Sequence, residues 1–406
     1  MAKVIVDKNK VEEVLTRGVE NIYSNKADLK KILLSGKRIR LYCGFDPSAT
    51  SLHIGNAILI NKLAQFQEMG HEVIFLIGDF TGMIGDPTDK SSARKKLTRK
   101  EVLKNCASYK KQASAYLKFD GVNPAKIMYN SQWSDKLSFK DLIEVSSNFT
   151  VQQMIIRDMF QERMKQEKPI YLHEFLYPLA QAYDSVEMDV DLEIGGNDQM
   201  FNMMCGRDLM KAVKGKEKFV LTTKLLTDAE GKKMGKTEGN IVNLDETSEN
   251  MYGQIMSWPD GVIFPGFELC TNVSMTELAE VWKKLENKST NPRDLKMKLA
   301  YEVTRINHGE KKAKEAEDNF IKTVQKKEIP DEITNYELSI TNLKIVDLLV
   351  EVKLASSKSE ARRLIEQGGV KVDGEVIKDI NKEIKITKDG ILVQKGKRGF
   401  VKVKKN

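Results

Sequence analysis

A strand, a helix and a second strand between Ile39 and Ile77 constrain this chain more than any other part of its sequence. Ile39-Arg40-Leu41-Tyr42-Cys43 is a β-prone run closed by Gly44 and Pro47. After Gly55, Leu59, Leu63 and Phe66 recur at helical spacing until Gly70 stops them, and Val73-Ile74-Phe75-Leu76-Ile77 is the second apolar run. Elements of these lengths make a βαβ unit, whose first turn opens at the carboxyl edge of a parallel sheet, where such sheets bind ligands. That turn holds His53 and Asn56 at the helix start, with Gly55 between them leaving the backbone open to a flat group. A helix N-terminus with polar donors and no carboxylate in its first turn suits a polyphosphate. A lone histidine there is more often a simple helix cap, so the turn needs support from the rest of the chain.

With 406 residues, 31% of them charged, the chain reads as a soluble protein of two or three domains. No apolar stretch approaches the roughly 20 residues needed to cross a bilayer, and none follows the N-terminus as a signal peptide would. Cys43, Cys106, Cys205 and Cys270 have no paired spacing, which speaks against a zinc site and a disulfide framework. A cytoplasmic protein without a protein-held metal is expected. The net charge of +8 is unevenly placed: residues 344–406 hold 16 Lys/Arg against 9 Asp/Glu, and the rest of the chain holds 50 against 49. A basic module for an anionic polymer, joined to a nearly neutral body, fits this asymmetry.

Residues 1–38 read as helical, with Val11, Val14 and Leu15, then Leu29, Ile32 and Leu33, at helical spacing. In the loop 82–87, Asp86 is either a turn carboxylate before proline or a receptor for an ammonium group. Residues 97–165 read as mostly helical. There Phe149, Met154, Ile155, Met159 and Phe160 offer an apolar surface for a core or for a second subunit. Tyr177, Gln181 and Asp184 fall on one face of a helix. The acid and the tyrosine Tyr42 suit a phenol, while Asp86, Tyr177 and Gln181 suit an ammonium. A strand over 190–194 then runs into Gly195-Gly196-Asn197-Asp198-Gln199, ahead of a helix whose apolar side includes Met200, Met204 and Leu209.

Lys232-Lys233-Met234-Gly235-Lys236-Thr237 imitates a P-loop, but only three residues separate Gly231 from Gly235. Two lysines three apart on a loop suit a leaving group that gathers negative charge, although a charged surface loop would look the same. Near the end, Ile345, Leu348 and Leu349 form a helical stripe, Ser357 to Glu360 is a capping box, and Asp373-Gly374 marks a hairpin turn. Arg362, Arg363, Lys371 and the basic run 397–405 suit phosphate contacts.

The His53 to Asn56 turn resembles the His-x-Gly-His signature of class I aminoacyl-tRNA synthetases, with asparagine in its last place. Tyr42-Cys43-Gly44-Phe45-Asp46-Pro47 resembles the bacterial tyrosyl-tRNA synthetases in particular. The lysine loop resembles the second signature, Lys-Met-Ser-Lys-Ser, with Gly235 and Thr237 in place of serines, and the C-terminal module resembles an S-four-like RNA-binding domain. This resemblance covers nearly the whole chain. It implies an α/β protein: a Rossmann-like parallel-sheet catalytic domain with a dimer-forming insertion over 1–228 and a mobile lysine loop over 229–245. An α-helical domain for the anticodon stem over 246–330, a linker over 331–342 and a small α+β RNA-binding domain over 343–406 complete it. The implied activity is ligation of L-tyrosine to tRNA(Tyr) through tyrosyl-adenylate, using ATP with Mg²⁺, in a homodimer.

By the same resemblance, His53, Asn56 and Ser48 serve the phosphates and ribose, and Lys233 and Lys236 the pyrophosphate. Cys43, Gly44, Asp46, Gly55, Gly196 and Asp198 surround ATP, with Lys90 and Arg94 near its phosphates or the tRNA end. Tyr42, Asp86, Tyr177, Gln181, Asp184 and Gln199 hold tyrosine, and Arg362, Arg363 and Lys371 meet tRNA. An RNA-binding protein that kept this fold, a small nucleotidyltransferase and a tryptophanyl enzyme are the rival readings. The Tyr42–Asp184 pair speaks against the last.

Overall fold

In the computed structural model, β2 (Arg40–Phe45) and β3 (Glu72–Ile77) pair in parallel, from Arg40 opposite Glu72 to Phe45 opposite Ile77. The helix Ile54–Glu68 crosses between them. Both strands are buried along most of their length, as strands inside a parallel sheet are, which is why they read as continuous apolar runs. The structure describes residues 3–88, 96–227, 231, 234, 241–325, 334–396 and 399–405. They divide into two compact units, Met1–Glu310 and Lys311–Asn406.

The first unit is built on six strands in the order β1 (Val19–Tyr23), β6 (Phe219–Thr223), β5 (Leu192–Gly196), β2, β3, β4 (Lys126–Tyr129). All neighbours run parallel except β1, which is antiparallel to β6. The chain leaves β2 toward β3 and β4 and returns on the other side of β2 as β5. Strand order therefore reverses between β2 and β5, and a crevice opens at their carboxyl ends.

Several local readings change. β1 lies in the stretch expected to be all helical: after the helix Lys8–Val14, Gly18 takes a positive φ of 63° and turns the chain into Val19–Tyr23. Its partner β6 is some 200 residues later, so no local pattern announces the pairing. β4 similarly interrupts the expected helical stretch 97–165. Thr81–Ile84 is one helical turn within the expected loop. The strand expected over 190–194 sits slightly later and takes in both glycines. In the helix Met200–Lys214 the buried methionines are Met203 and Met210, not Met200 or Met204. Gly195 makes room for the first of these, since a Cβ there would lie 2.8 Å from Met203 Sδ.

The apolar set of the insertion also divides. Met154 and Phe160 are core residues, whereas Phe139, Ile143, Val151, Ile156 and Leu172 are exposed. Beyond β6, Gly231, Met234 and residues 241–245 of the expected lysine loop are described, while Lys233 and Lys236 lie outside the described residues, as do Lys90 and Arg94. Helices Ser248–Met256, Ile263–Cys270, Met275–Glu286 and Pro292–His308 follow.

The second unit contains the helices Ile345–Glu351 and Lys358–Glu366 and a five-stranded sheet. Its order is β10 (Glu375–Val376), β9 (Val370–Val372), β12 (Ile391–Lys395), β13 (Gly399–Lys405), β7 (Thr334–Leu338). The hairpin between β9 and β10 turns at Asp373 and Gly374, both at positive φ, as a two-residue turn requires. A separate pair joins β8 (Asn342–Lys344) to β11 (Glu383–Lys385). The stretch 334–338, expected in a linker over 331–342, is thus a strand. β7 pairs in parallel with β13 at the far end of the chain, and Tyr336 and Leu338 pack onto the core. Arg362 and Arg363 are exposed on the second helix and Lys371 is half-buried on β9.

Candidate active site

The crevice at the β2–β5 switch point is a cavity of about 680 Å³, within the range of small-molecule sites. β2 and its turn bring Tyr42, Cys43, Gly44, Asp46 and Ser48 to it, and the helix start brings His53, Gly55 and Asn56. Asp86 comes from the segment after β3, and Tyr177, Gln181 and Asp184 from one face of the helix Leu172–Met188. The end of β5 and the turn beyond it supply Gly196, Asp198 and Gln199. Every expected small-molecule residue among the described residues therefore lines one cavity.

At its buried end, Asp184 accepts from Trp133 Nε1 (2.7 Å) and Asn130 Nδ2 (3.2 Å). Burial pushes this carboxyl well above the usual carboxylate range, against the pull of those two donors; Glu193 and Asp46 add to the rise. Tyr42, also buried, places its hydroxyl 2.9 Å from Ser185 Oγ. Burial, with Glu193 and Asp184 nearby, keeps that phenol protonated. The floor thus presents both a desolvated carboxyl and a hydroxyl, the latter on a tyrosine packed among Ile74, Leu76, Met188 and Val190. Cys43 is buried, and that burial pushes its thiol up.

Farther out, Tyr177 donates to Asp46 Oδ2 (2.8 Å) and Thr81 donates to Asp46 Oδ1 (2.7 Å). Asp46, which the resemblance places beside ATP, is here tied to a tyrosine-side residue. Gly78 permits this, because a Cβ there would fall 2.0 Å from Asp46 Oδ1. Asp86 fills the turn role foreseen for it and also meets a neighbouring amide. Its Oδ1 accepts from the N–H and hydroxyl of Thr88 (2.9 and 2.7 Å), and its Oδ2 accepts from Gln199 Nε2 (2.8 Å).

At the helix start, Asn56 Oδ1 accepts from the His53 N–H (3.0 Å), which leaves the amide NH₂ of Asn56 as a donor at every pH. Gly55 serves His53 before any ligand, since a Cβ there would sit 3.0 Å from the imidazole. The chain leaving the lysine segment is bound to this turn: Ile54 N–H donates to Val242 O and Leu244 N–H to Leu52 O, both 2.9 Å. At the other end, Met234 N–H donates to Leu226 O (2.8 Å), and both residues line the cavity. The first signature turn is thus joined through backbone to the chain that follows the expected lysine positions.

Sequence reasoning missed Asn130, Trp133, Thr81, Glu193 and Lys218. Asn130 follows β4 directly at the carboxyl edge and was findable once that strand is recognised. Glu193, an acid inside an apolar strand, was the other visible signal. Its buried partner Lys218 carries no local mark.

The family model for tRNA synthetases class I (W and Y) matches residues 34–325, and that for the S4 domain matches residues 343–391. The chain is 43% identical over 395 residues to the tyrosine–tRNA ligase of Thermotoga maritima, covering 96% of each. With that of Haemophilus influenzae it shares 40% over 403 residues, 99% of this chain and 98% of the other. Among solved structures, a truncated mitochondrial tyrosyl-tRNA synthetase of Coccidioides posadasii aligns with a TM-score of 0.62 at 26% identity, over 76% of this chain and 91% of that one. The enzyme of Archaeoglobus fulgidus, complexed with L-tyrosine, shares the fold with a TM-score of 0.59 at 21% identity, over 77% of this chain and 100% of that one.

Proposed function

The chain belongs to the class I tRNA synthetases (W and Y), among the tyrosine–tRNA ligases, and we propose that the cavity at the β2–β5 switch point carries out both halves of that reaction. The observation that supports this most is that Tyr42 and Asp184, both buried, line a cavity that a helix N-terminus without a carboxylate also lines.

L-tyrosine enters with its phenol at Tyr42 and Asp184 and its ammonium at Tyr177, Gln181 and Asp86, with Gln199 alongside. Phenylalanine would leave the desolvated floor groups unpaired, and tyrosyl enzymes are the standard example of that asymmetry. ATP lies along the turn after β2 and the helix start, with Asp198 and Gly196 on its ribose side. The tyrosine carboxylate attacks the α-phosphorus in line, the P–O bond to pyrophosphate breaks, and tyrosyl-adenylate stays bound. No protein nucleophile takes part. Positioning and charge stabilisation by His53, Asn56, Ser48, Lys233 and Lys236 do the work. Mg²⁺ comes with the nucleotide, as part of the substrate. The terminal ribose hydroxyl of tRNA(Tyr) then attacks the acyl carbon and releases AMP. Arg362, Arg363 and Lys371 hold the tRNA through phosphates.

The exposed Phe139, Ile143, Val151, Ile156 and Leu172 support a homodimer through the insertion. The helix Phe139–Ser146 buries none of its residues within the chain. The expected compartment is the cytoplasm; among the described residues no helix is long and apolar enough to cross a membrane.

The test is amino-acid-dependent exchange of labelled pyrophosphate into ATP without tRNA, with tyrosine, phenylalanine and tryptophan in parallel. Exchange with tyrosine alone is expected. Exchange with tryptophan instead, or with none of the three from folded protein and Mg²⁺, contradicts the reading.

A further inference from the structure

Beneath the amino-acid side of the cavity lies an ion pair that none of the roles above uses. Lys218, which precedes β6, and Glu193 on β5 are both buried, and the Lys218 ammonium bonds Glu193 Oε2. Two further bonds run outward from the pair. Glu193 Oε1 accepts from Gln181 Nε2 (2.9 Å). Lys218 donates to Ser185 Oγ (2.9 Å), which is 2.9 Å from the Tyr42 hydroxyl and 3.4 Å from Glu193 Oε2.

We propose that the Glu193–Lys218 pair is a positioning element of the tyrosine site, fixing the orientation of Gln181 at the ammonium end. A carboxylate only accepts hydrogen bonds. It therefore holds the NH₂ of Gln181 on its own side and turns the amide oxygen of Gln181, an acceptor, to the other. An acceptor is what a substrate ammonium needs. A neutral amide in place of Glu193 would accept either orientation of Gln181, and half of the choices present an NH₂ to a cation. The Lys218 ammonium gives the buried Glu193 carboxylate the charged partner that such a group needs away from water.

The sequence makes room for this arrangement at one position. Gly206 lies inside the helix Met200–Lys214, where glycine is unfavourable. A Cβ there would stand 2.5 Å from Lys218 Nζ, 2.9 Å from Ser185 Oγ and 3.3 Å from Glu193 Oε2. The missing side chain is the space the ammonium occupies.

The inference rests on the proposed orientation of tyrosine in this cavity, and its test separates the two. Glu193→Gln, Glu193→Asp and Gly206→Ala are made in the full chain, and pyrophosphate exchange is measured against tyrosine and against ATP. The inhibition constant of 3-(4-hydroxyphenyl)propanoate, which is tyrosine without its ammonium, is measured alongside. Glu193→Gln should raise KM for tyrosine by about tenfold, the loss of one hydrogen bond to a charged group. KM for ATP and the inhibition constant of the analogue should not change, and Glu193→Asp should restore part of the loss. An unchanged KM for tyrosine in folded Glu193→Gln overturns the proposal, and so does equal weakening of the analogue, which would mean general loosening of the pocket. If Glu193→Gln does not fold, Gly206→Ala decides: a raised KM for tyrosine at constant KM for ATP supports the proposal, and an unchanged one overturns it. Wild-type protein without tyrosine-dependent exchange overturns the function itself and this inference with it.

Discussion

The first unit buries Lys218 against Glu193, Arg163 against Glu174 and Asp184 beneath Trp133, whereas every buried residue described between 334 and 405 is apolar. Both units need a core, but only one has to recognise a small molecule. Telling a phenol from a phenyl ring requires polar atoms out of water, and such atoms must be held by others that are equally buried. A module that meets a polymer through phosphates can leave its charges on the surface. Its interior then needs only to be apolar and well packed. The uneven charge of the sequence is the outward sign of the same division.

Arg163→Met is the harshest way to probe the first kind of interior. Arg163 bonds both oxygens of Glu174 (2.6 and 2.9 Å), with both side chains almost fully buried. Removing the cation strands a buried carboxylate and should lower unfolding stability by about 3–5 kcal/mol in urea titrations. Arg163→Met with Glu174→Leu should recover most of that loss. If the single and double variants are equally unstable, the cost lies in packing and the contrast between the units weakens.

The second interior is probed by Leu349→Ala, fully buried in the C-terminal core. A loss of about 2–5 kcal/mol is expected, from transfer and cavity terms with no polar component. Since this core belongs to the RNA-binding unit, tRNA charging should fall while tyrosine-dependent exchange persists. Loss of exchange as well would show that the first unit's chemistry depends on the second.

A smaller effect should appear with pH. Burial, with the charge of Arg38 nearby, pulls His71 down to about 4, and its Nδ1 accepts from the Ile39 N–H (3.4 Å) at the entry to β2. The unfolded chain binds this proton near 6.5 and the folded one only near 4. The stabilising contribution is therefore complete above about 6.5. It declines by up to about 1.4 kcal/mol per pH unit as pH falls toward 4. The slope between pH 6.5 and 4.5 should be shallower in His71→Asn than in the wild type. Equal slopes would remove His71 from the first unit's buried polar groups.

What sequence made legible follows from distance along the chain. His53 with Asn56, Tyr177 with Gln181 and Asp184, and Asp198 with Gln199 each sit in one short motif, and strand ends and helical periodicity suffice to aim them. The cavity joins these motifs because the parallel sheet collects carboxyl ends at one edge. Partners far apart were invisible. Trp133 and Asn130 meet Asp184 across more than 50 residues, Lys218 meets Glu193 across 25, and β1 and β7 find their strands across most of their units. Periodicity reports which face of an element is apolar, not which residue it meets. Gly206 and Gly78 mark two such meetings, but a glycine's missing Cβ gains meaning only when its neighbour is known.

The division between a pocket that reads tyrosine and a module that reads RNA is tested most directly by one protein measured in two ways. Arg362→Gln, Arg363→Gln and Lys371→Gln are combined in the full chain, and tyrosine-dependent pyrophosphate exchange and charging of tRNA(Tyr) are followed side by side. Exchange at the wild-type rate, with charging that demands far more tRNA and depends less steeply on salt, is the predicted result. Exchange and charging falling together, or charging unchanged in affinity and salt dependence, would contradict it.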